Sequence, residues 1–223
     1  MRSLTQFNNG WTFHGEFTPW MIAGFVSGDT VRLPHNAVDL PMNYFDECCF
    51  QKAFCYQRTL DWQADFADRE VELVFDGAMA DAVVWLNGQQ VAAHKDGYTP
   101  FSARLTGLLR DGANLVTVRI DGSENPEIPP FGGQIDYLTY AGIYRDVWLK
   151  VTDPVAIGNV KIETANELAA EKSVHVVCTL ANPCRHPVTG TLGAELLDEA
   201  GRVLATTSAE VSGERVSLSF EDL

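Results

Sequence analysis

Asp136 is the carboxylate that opens the stretch Asp136-Tyr137-Leu138-Thr139-Tyr140-Ala141-Gly142-Ile143-Tyr144-Arg145-Asp146-Val147-Trp148-Leu149. A small-residue pair follows it, then a charged pair that runs into an apolar strand. That layout can hold an acidic side chain at the rim of a β-sandwich, pointing out of the fold. A carboxylate so placed accepts charge-assisted hydrogen bonds from hydroxyl groups and can ligate a cation. Tyr137 and Tyr140 flank it, with rings that either stack on a flat ligand face or pack in the core. The other chemistry-bearing residues read as structural. Asp46-Glu47 and the Glu124/Glu127 pair look like solvated loop charges. His35 and His94 have no metal-ligand spacing and no Ser or Cys nucleophile arrangement beside them, which leaves turn or structural hydrogen bonding. Cys48-Cys49 with Cys55 lacks a second paired set, which argues against zinc. Gly132-Gly133 lacks the strand-then-helix context of a phosphate cradle. No catalytic residue and no metal ligand set is assigned.

The elements that must position Asp136 are strands. Glu70–Phe75 alternates polar and apolar residues, as a half-buried strand does. Val83–Leu86 and Gln90–His94 flank Asn87-Gly88, the strongest short-range hairpin signal, because a type I′ turn needs positive φ at both central residues. Asn114–Ile120 alternates again after the turn Asp111-Gly112, and Val147–Val151 closes the series. Ser102–Leu109 is the one place where the apolar spacing suggests a short helical turn. Trp85 and Trp148 fall on strands and read as core. Arg145 and Asp146 read as partners of salt bridges or backbone carbonyls at the sandwich edge. Many short strands with frequent turns imply an all-β sandwich or barrel.

Thr152-Asp153-Pro154 reads as a boundary, since proline breaks a ladder. Beyond it the pattern restarts with strand candidates at Ile157–Ile162, Val174–Leu180, Thr191–Leu197, Val203–Ala205 and Val216–Phe220, with a hairpin turn at Asp198–Arg202. An immunoglobulin-like sandwich takes about seven strands. Five candidates followed by the end of the sequence suggest a truncated domain whose polypeptide continues past Leu223.

With 223 residues the chain can bury a sizeable core, and 46% hydrophobic against 21% charged residues is ordinary for a globular protein. A formal net charge of −14 disfavours nucleic acid and anionic membrane as partners, and suits a neutral sugar. Five cysteines, two of them adjacent, argue against a disulfide framework. With no signal-peptide pattern at the N-terminus and no apolar run near ~20 residues, the expected location is cytoplasmic.

Six segments, in order, resemble glycoside hydrolase family 2, the β-galactosidase and β-glucuronidase group. They are Phe7–Phe13, Val31–Asn36, Ala53–Leu60, Phe75–Gly88, His94–Phe101 and Gly142–Leu149. The family's tryptophan after the His-Asn pair is Ala37 here. The resemblance implies a jelly-roll, galactose-binding-like β-sandwich over 1–151. An incomplete immunoglobulin-like β-sandwich over 152–223 follows, and then a C-terminal TIM barrel that holds both catalytic glutamates. It implies that this stretch is the N-terminal non-catalytic region of a retaining exo-glycosidase of β-galactosidase type, inactive by itself. A free-standing carbohydrate-binding module and a purely structural β-sandwich pair are the alternatives. By the family pattern, an aspartate six positions before the glycine of Gly-Ile contacts the substrate hydroxyls, and Asp136 stands six before Gly142. Asn43 is the counterpart of an asparagine that some members place in the pocket, and Tyr137 is the candidate stacking ring. No cofactor is expected in this region, with sodium or magnesium left to the full-length enzyme. The expected partners are a carbohydrate substrate, the barrel and further copies of the same protein.

Overall fold

The computed structural model describes residues 2–39, 42–43, 46–129, 131, 140–221 and 223. The chain divides into two compact units, Met1–Val151 and Thr152–Leu223. In the first, the described residues form strands β1 (Arg2–Gln6), β2 (Trp11–His14), β3 (Asp29–Val31), β4 (His35–Asn36), β5 (Ala53–Asp61) and β6 (Glu70–Phe75). They continue as β7 (Asp81–Leu86), β8 (Gln89–Lys95), β9 (Phe101–Arg104), β10 (Ala113–Asp121), β11 (Gly142–Ile143) and β12 (Val147–Thr152). The second holds β13 (Ala156–Ala165), β14 (Ser173–Ala181), β15 (Thr191–Leu197), β16 (Val203–Glu210) and β17 (Arg215–Phe220). The fold is all-β, as the patterning implies.

The first unit is a sandwich of a four-stranded sheet, β1-β12-β6-β9, and a six-stranded sheet, β3-β2-β5-β10-β7-β8. Alternation decides which side chains meet between them. Val71, Leu73 and Phe75 of β6 and Val147, Leu149 and Val151 of β12 form one core with Phe54, Tyr56 and Leu60 of β5 and Val116, Val118 and Ile120 of β10. Asn87 and Gly88 both take positive φ, 51° and 88°, and turn β7 into β8. Asn114, fully buried, fastens that turn: its Oδ1 accepts from Asn87 Nδ2 at 2.8 Å.

The outer face of the six-stranded sheet is covered at its centre. Gln57 is fully buried there; its Nε2 donates to the carbonyls of Met21 and Gly24, both at 2.8 Å, and its Oε1 accepts from Val26 N–H at 2.9 Å. Phe17 stacks on Trp85 beside it. Trp85 is therefore a half-buried outer-face residue and not a core one. Trp148 is likewise half-buried outside the core, donating its Nε1–H to Asp76 at 2.8 Å. The helical turn expected in 102–109 is a strand followed by one tight turn, in which Leu108 N–H meets the Leu105 carbonyl at 3.0 Å. Val71 N–H bonding to Thr106 Oγ1 and the burial of Leu105 hold that segment in the ladder.

In the second unit β13-β14-β17 form one sheet and β15-β16 a hairpin. Val176, Cys178, Leu218 and Phe220 make a small core, and Asp198 folds the hairpin turn by accepting from Arg202 N–H at 2.8 Å.

Candidate functional site

The connection from β10 to β11, residues 122–141, carries the predicted sugar-binding carboxylate. Its two ends are pinned to one place. At the outgoing end, Gly122 N–H donates to the Lys52 carbonyl at 3.0 Å. A Cβ on Gly122 would stand 2.6 Å from the Cβ of Ala141, so the outgoing and returning chain touch with no room for a side chain. The first part is anchored further by Ile128, which is buried, and by Glu127, whose carboxylate pairs with Lys95 Nζ at 2.6 Å. That contact holds Glu127 below and Lys95 above their ordinary pKa values.

The returning end is held more tightly. Ala37 N–H donates to the Ala141 carbonyl at 2.7 Å, and Gly142 and Met79 exchange both backbone hydrogen bonds. β11 pairs antiparallel with β4, Gly142 opposite Asn36 and Ile143 opposite His35. Gly142 has φ +135°, and a Cβ there would lie 2.5 Å from the His35 carbonyl and 2.9 Å from the Ala37 nitrogen. Only glycine meets both demands. His35 Nδ1 lies 2.9 Å from the hydroxyl of Tyr56, and its ring leans on Phe13 at 4.8 Å. Burial lowers the His35 pKa against the opposing pull of Asp39. Burial likewise raises the Tyr56 hydroxyl, with the Ile143 backbone N–H acting in the opposite sense.

The charged pair after Ile143 is structural. Arg145 donates to the Tyr98 carbonyl at 3.1 Å, and Tyr144 donates its hydroxyl hydrogen to the Gly97 carbonyl. Asp146 Oδ1 accepts from the buried Asn8 at 2.7 Å, and Asn8 Oδ1 in turn accepts from Val147 N–H at 2.9 Å. His94 stacks on Phe101 and meets Thr99 Oγ1 at 3.0 Å, which closes the turn through Asp96. The segments His94–Phe101 and Gly142–Leu149 thus hold each other along one rim.

Asp136, Tyr137 and the Gly132-Gly133 pair lie outside the described residues. Asn43 is exposed at a bend, and Tyr140 is exposed at 39%, not core. Among the described residues no three His, Cys, Asp or Glu side chains gather as a metal site, and no helix is long and apolar enough to cross a membrane. Sequence reasoning missed the roles of Gln57, Tyr56 and Gly122. Gln57 did carry a signal, an amide in the middle of an apolar strand. Gly122 carried none, because its neighbours come from distant segments.

Comparisons with known proteins agree on one group. Residues 35–154 match the family described as glycosyl hydrolases family 2, sugar binding domain. A β-galactosidase of Rhizobium meliloti is 51% identical over 223 residues, covering 99% of this chain and 29% of the relative. A β-galactosidase of Thermoanaerobacterium thermosulfurigenes is 40% identical, covering 82% of this chain and 26% of the relative. A solved β-glucuronidase from Bacteroides uniformis superposes with a TM-score of 0.84 at 23% identity over 100% of this chain and 28% of its own, a likeness of fold. The chain spans less than a third of each of these proteins.

Proposed function

The chain belongs to glycosyl hydrolase family 2, and on that premise we propose that it is the sugar-binding, non-catalytic region of a longer retaining exo-glycosidase acting on β-galactosides. Asp136 contributes to the sugar subsite by accepting hydrogen bonds from substrate hydroxyls, with Asn43 and Tyr137 as secondary contacts. Both catalytic carboxylates come from a barrel elsewhere in the polypeptide, about 5–5.5 Å apart as retention requires. Any sodium or magnesium ion of the full-length enzyme would find in Asp136 one oxygen ligand. An odd number of cysteines, five with two of them adjacent, favours a reducing compartment, hence the cytoplasm.

The observation that carries this reading is the placement of Asp136 six residues before Gly142, in a connection whose ends are fastened together at Gly122 and Ala141. The test is Asp136→Ala in the full-length enzyme, assayed on a nitrophenyl β-galactoside. The expected loss in kcat/KM is about a hundredfold, the scale of a contact that tightens at the transition state. Unchanged kinetics would favour a purely structural sandwich pair. Residues 1–223 alone are expected to show no turnover; robust hydrolysis by them would refute the non-catalytic assignment.

A further inference from the structure

The second unit holds a cavity of about 450 Å³ where β14 ends and β17 begins. Three segments meet there: Leu180 at the end of β14, the loop 182–188 that follows, and the turn 212–214 between β16 and β17. The Leu180 N–H donates to the Glu214 carbonyl at 2.7 Å, which joins the strand to the turn. One side chain builds the loop. Asn182 Nδ2 donates to the His186 carbonyl, and Asn182 Oδ1 accepts from the His186 N–H, both at 2.8 Å. Inside that clamp Arg185 takes φ 54°, a left-handed conformation that an arginine adopts only at a cost. Glycine would sit there without strain. An arginine kept in strained backbone beside a cavity is a candidate for function.

The lining decides what the cavity can take. Half-buried Leu180 and Val188 supply apolar surface, and exposed Arg185, His186, Ser212 and Glu214 supply polar groups. Among the described residues no hydrogen bond or ion pair engages the Arg185 guanidinium, the His186 ring or the Glu214 carboxylate. An anion drawn to Arg185 would meet Glu214, and a cation drawn to Glu214 would meet Arg185. A wholly apolar ligand would strip water from four polar side chains and return nothing. A neutral, hydroxyl-rich molecule satisfies all of them. Each hydroxyl both donates and accepts, so it can accept from Arg185 and donate to Glu214, while C–H surface lies on Leu180 and Val188. The volume falls in the range of small-molecule pockets, about 300–1,000 Å³. We propose that this cavity binds a small neutral sugar, with Arg185 and Glu214 as its principal contacts. The site is built wholly from the second unit and does not depend on the reading of Asp136.

The test is a titration of the 223-residue chain with methyl β-galactoside, followed by NMR at the backbone amides of 182–188 and 212–214. These amides should shift saturably in the millimolar range. Glu214→Gln and Arg185→Gly should each weaken that response at least about tenfold. Arg185→Gly also relieves the strained backbone, so it should unfold in urea no earlier than wild type, and its lost binding could not be laid to misfolding. Asp136→Ala should leave the shifts of these amides unchanged. Inorganic phosphate should not saturate them. No saturable shift with the sugar, or one that survives both Arg185→Gly and Glu214→Gln, would overturn the site. Shifts that vanish in Asp136→Ala would overturn it too, since the loops would then only report binding elsewhere. Saturation by phosphate and not by the sugar would overturn the neutral-sugar assignment in favour of an anion.

Discussion

Gln57 shows how one buried side chain can govern a segment. It takes three hydrogen bonds from or to the backbone of residues 21–26, in an interior where an unmet polar group costs about 1–3 kcal/mol. Gln57→Leu should therefore destabilise the fold by about 2–4 kcal/mol and expose the segment near Trp20 and Phe25 to protease. Urea unfolding with limited proteolysis checks both; an unchanged midpoint would contradict the account. Gly142→Ala meets positive φ and the His35 carbonyl at 2.5 Å together. A loss of about 3 kcal/mol or more is expected, read from the same midpoint. Cys55 beside Gln57 is inert by contrast, its thiol pushed up to about 12 by burial. Arg58 stacks on Phe7 at 3.3 Å, and burial lowers it to about 10, so it stays a cation at neutral pH.

Strands read well from the sequence wherever alternation was regular, as in Glu70–Phe75 and Asn114–Ile120. The two-residue strands β4 and β11 were not legible as strands, because two residues carry no period. The tryptophans of β7 and β12 were misplaced for a related reason: alternation marks two faces but not which face a later segment will cover. The same limit appears in β13. Val160 and Ile162 lie opposite Cys178 and Val176, which are buried at 5% and 8%, yet they remain exposed at 47% and 63%. The hydrophobic gain realised there is small. Ile162→Thr should cost less than about 1 kcal/mol, while Leu218→Ala in the same sheet should cost about 2–4 kcal/mol. Comparable losses at both positions by urea titration would show that the edge of this sheet is covered after all.

For the molecule as a whole, pH response follows from its buried groups. His14 and His35 both have pKa values lowered from 6.5, with burial the largest cause. The unfolded chain therefore binds protons that the fold excludes. This stability is fully present above about pH 6.5 and declines as pH falls toward the lower folded values. Asp121 is a second contribution: burial alone would push it up, but Arg119 at 2.6 Å and Ser123 outweigh that and hold it down. Its share is present above about pH 4 and lost below. In about 0.2 M salt, which screens the self-repulsion of a −14 chain, the urea midpoint should fall from pH 7 to 5 and fall again below 4. A flat midpoint from pH 7 to 5 would refute the histidine part. By itself the sequence determined the all-β class, most strand positions, the hairpin turns and the family, since these rest on local periodicity, turn chemistry and ordered motifs. Only the tertiary structure decided that Gly122 touches Ala141, that Tyr56 reaches His35, and that Asn8 binds Asp146. Those contacts join residues far apart in the chain, and no local pattern encodes which buried polar group will meet which.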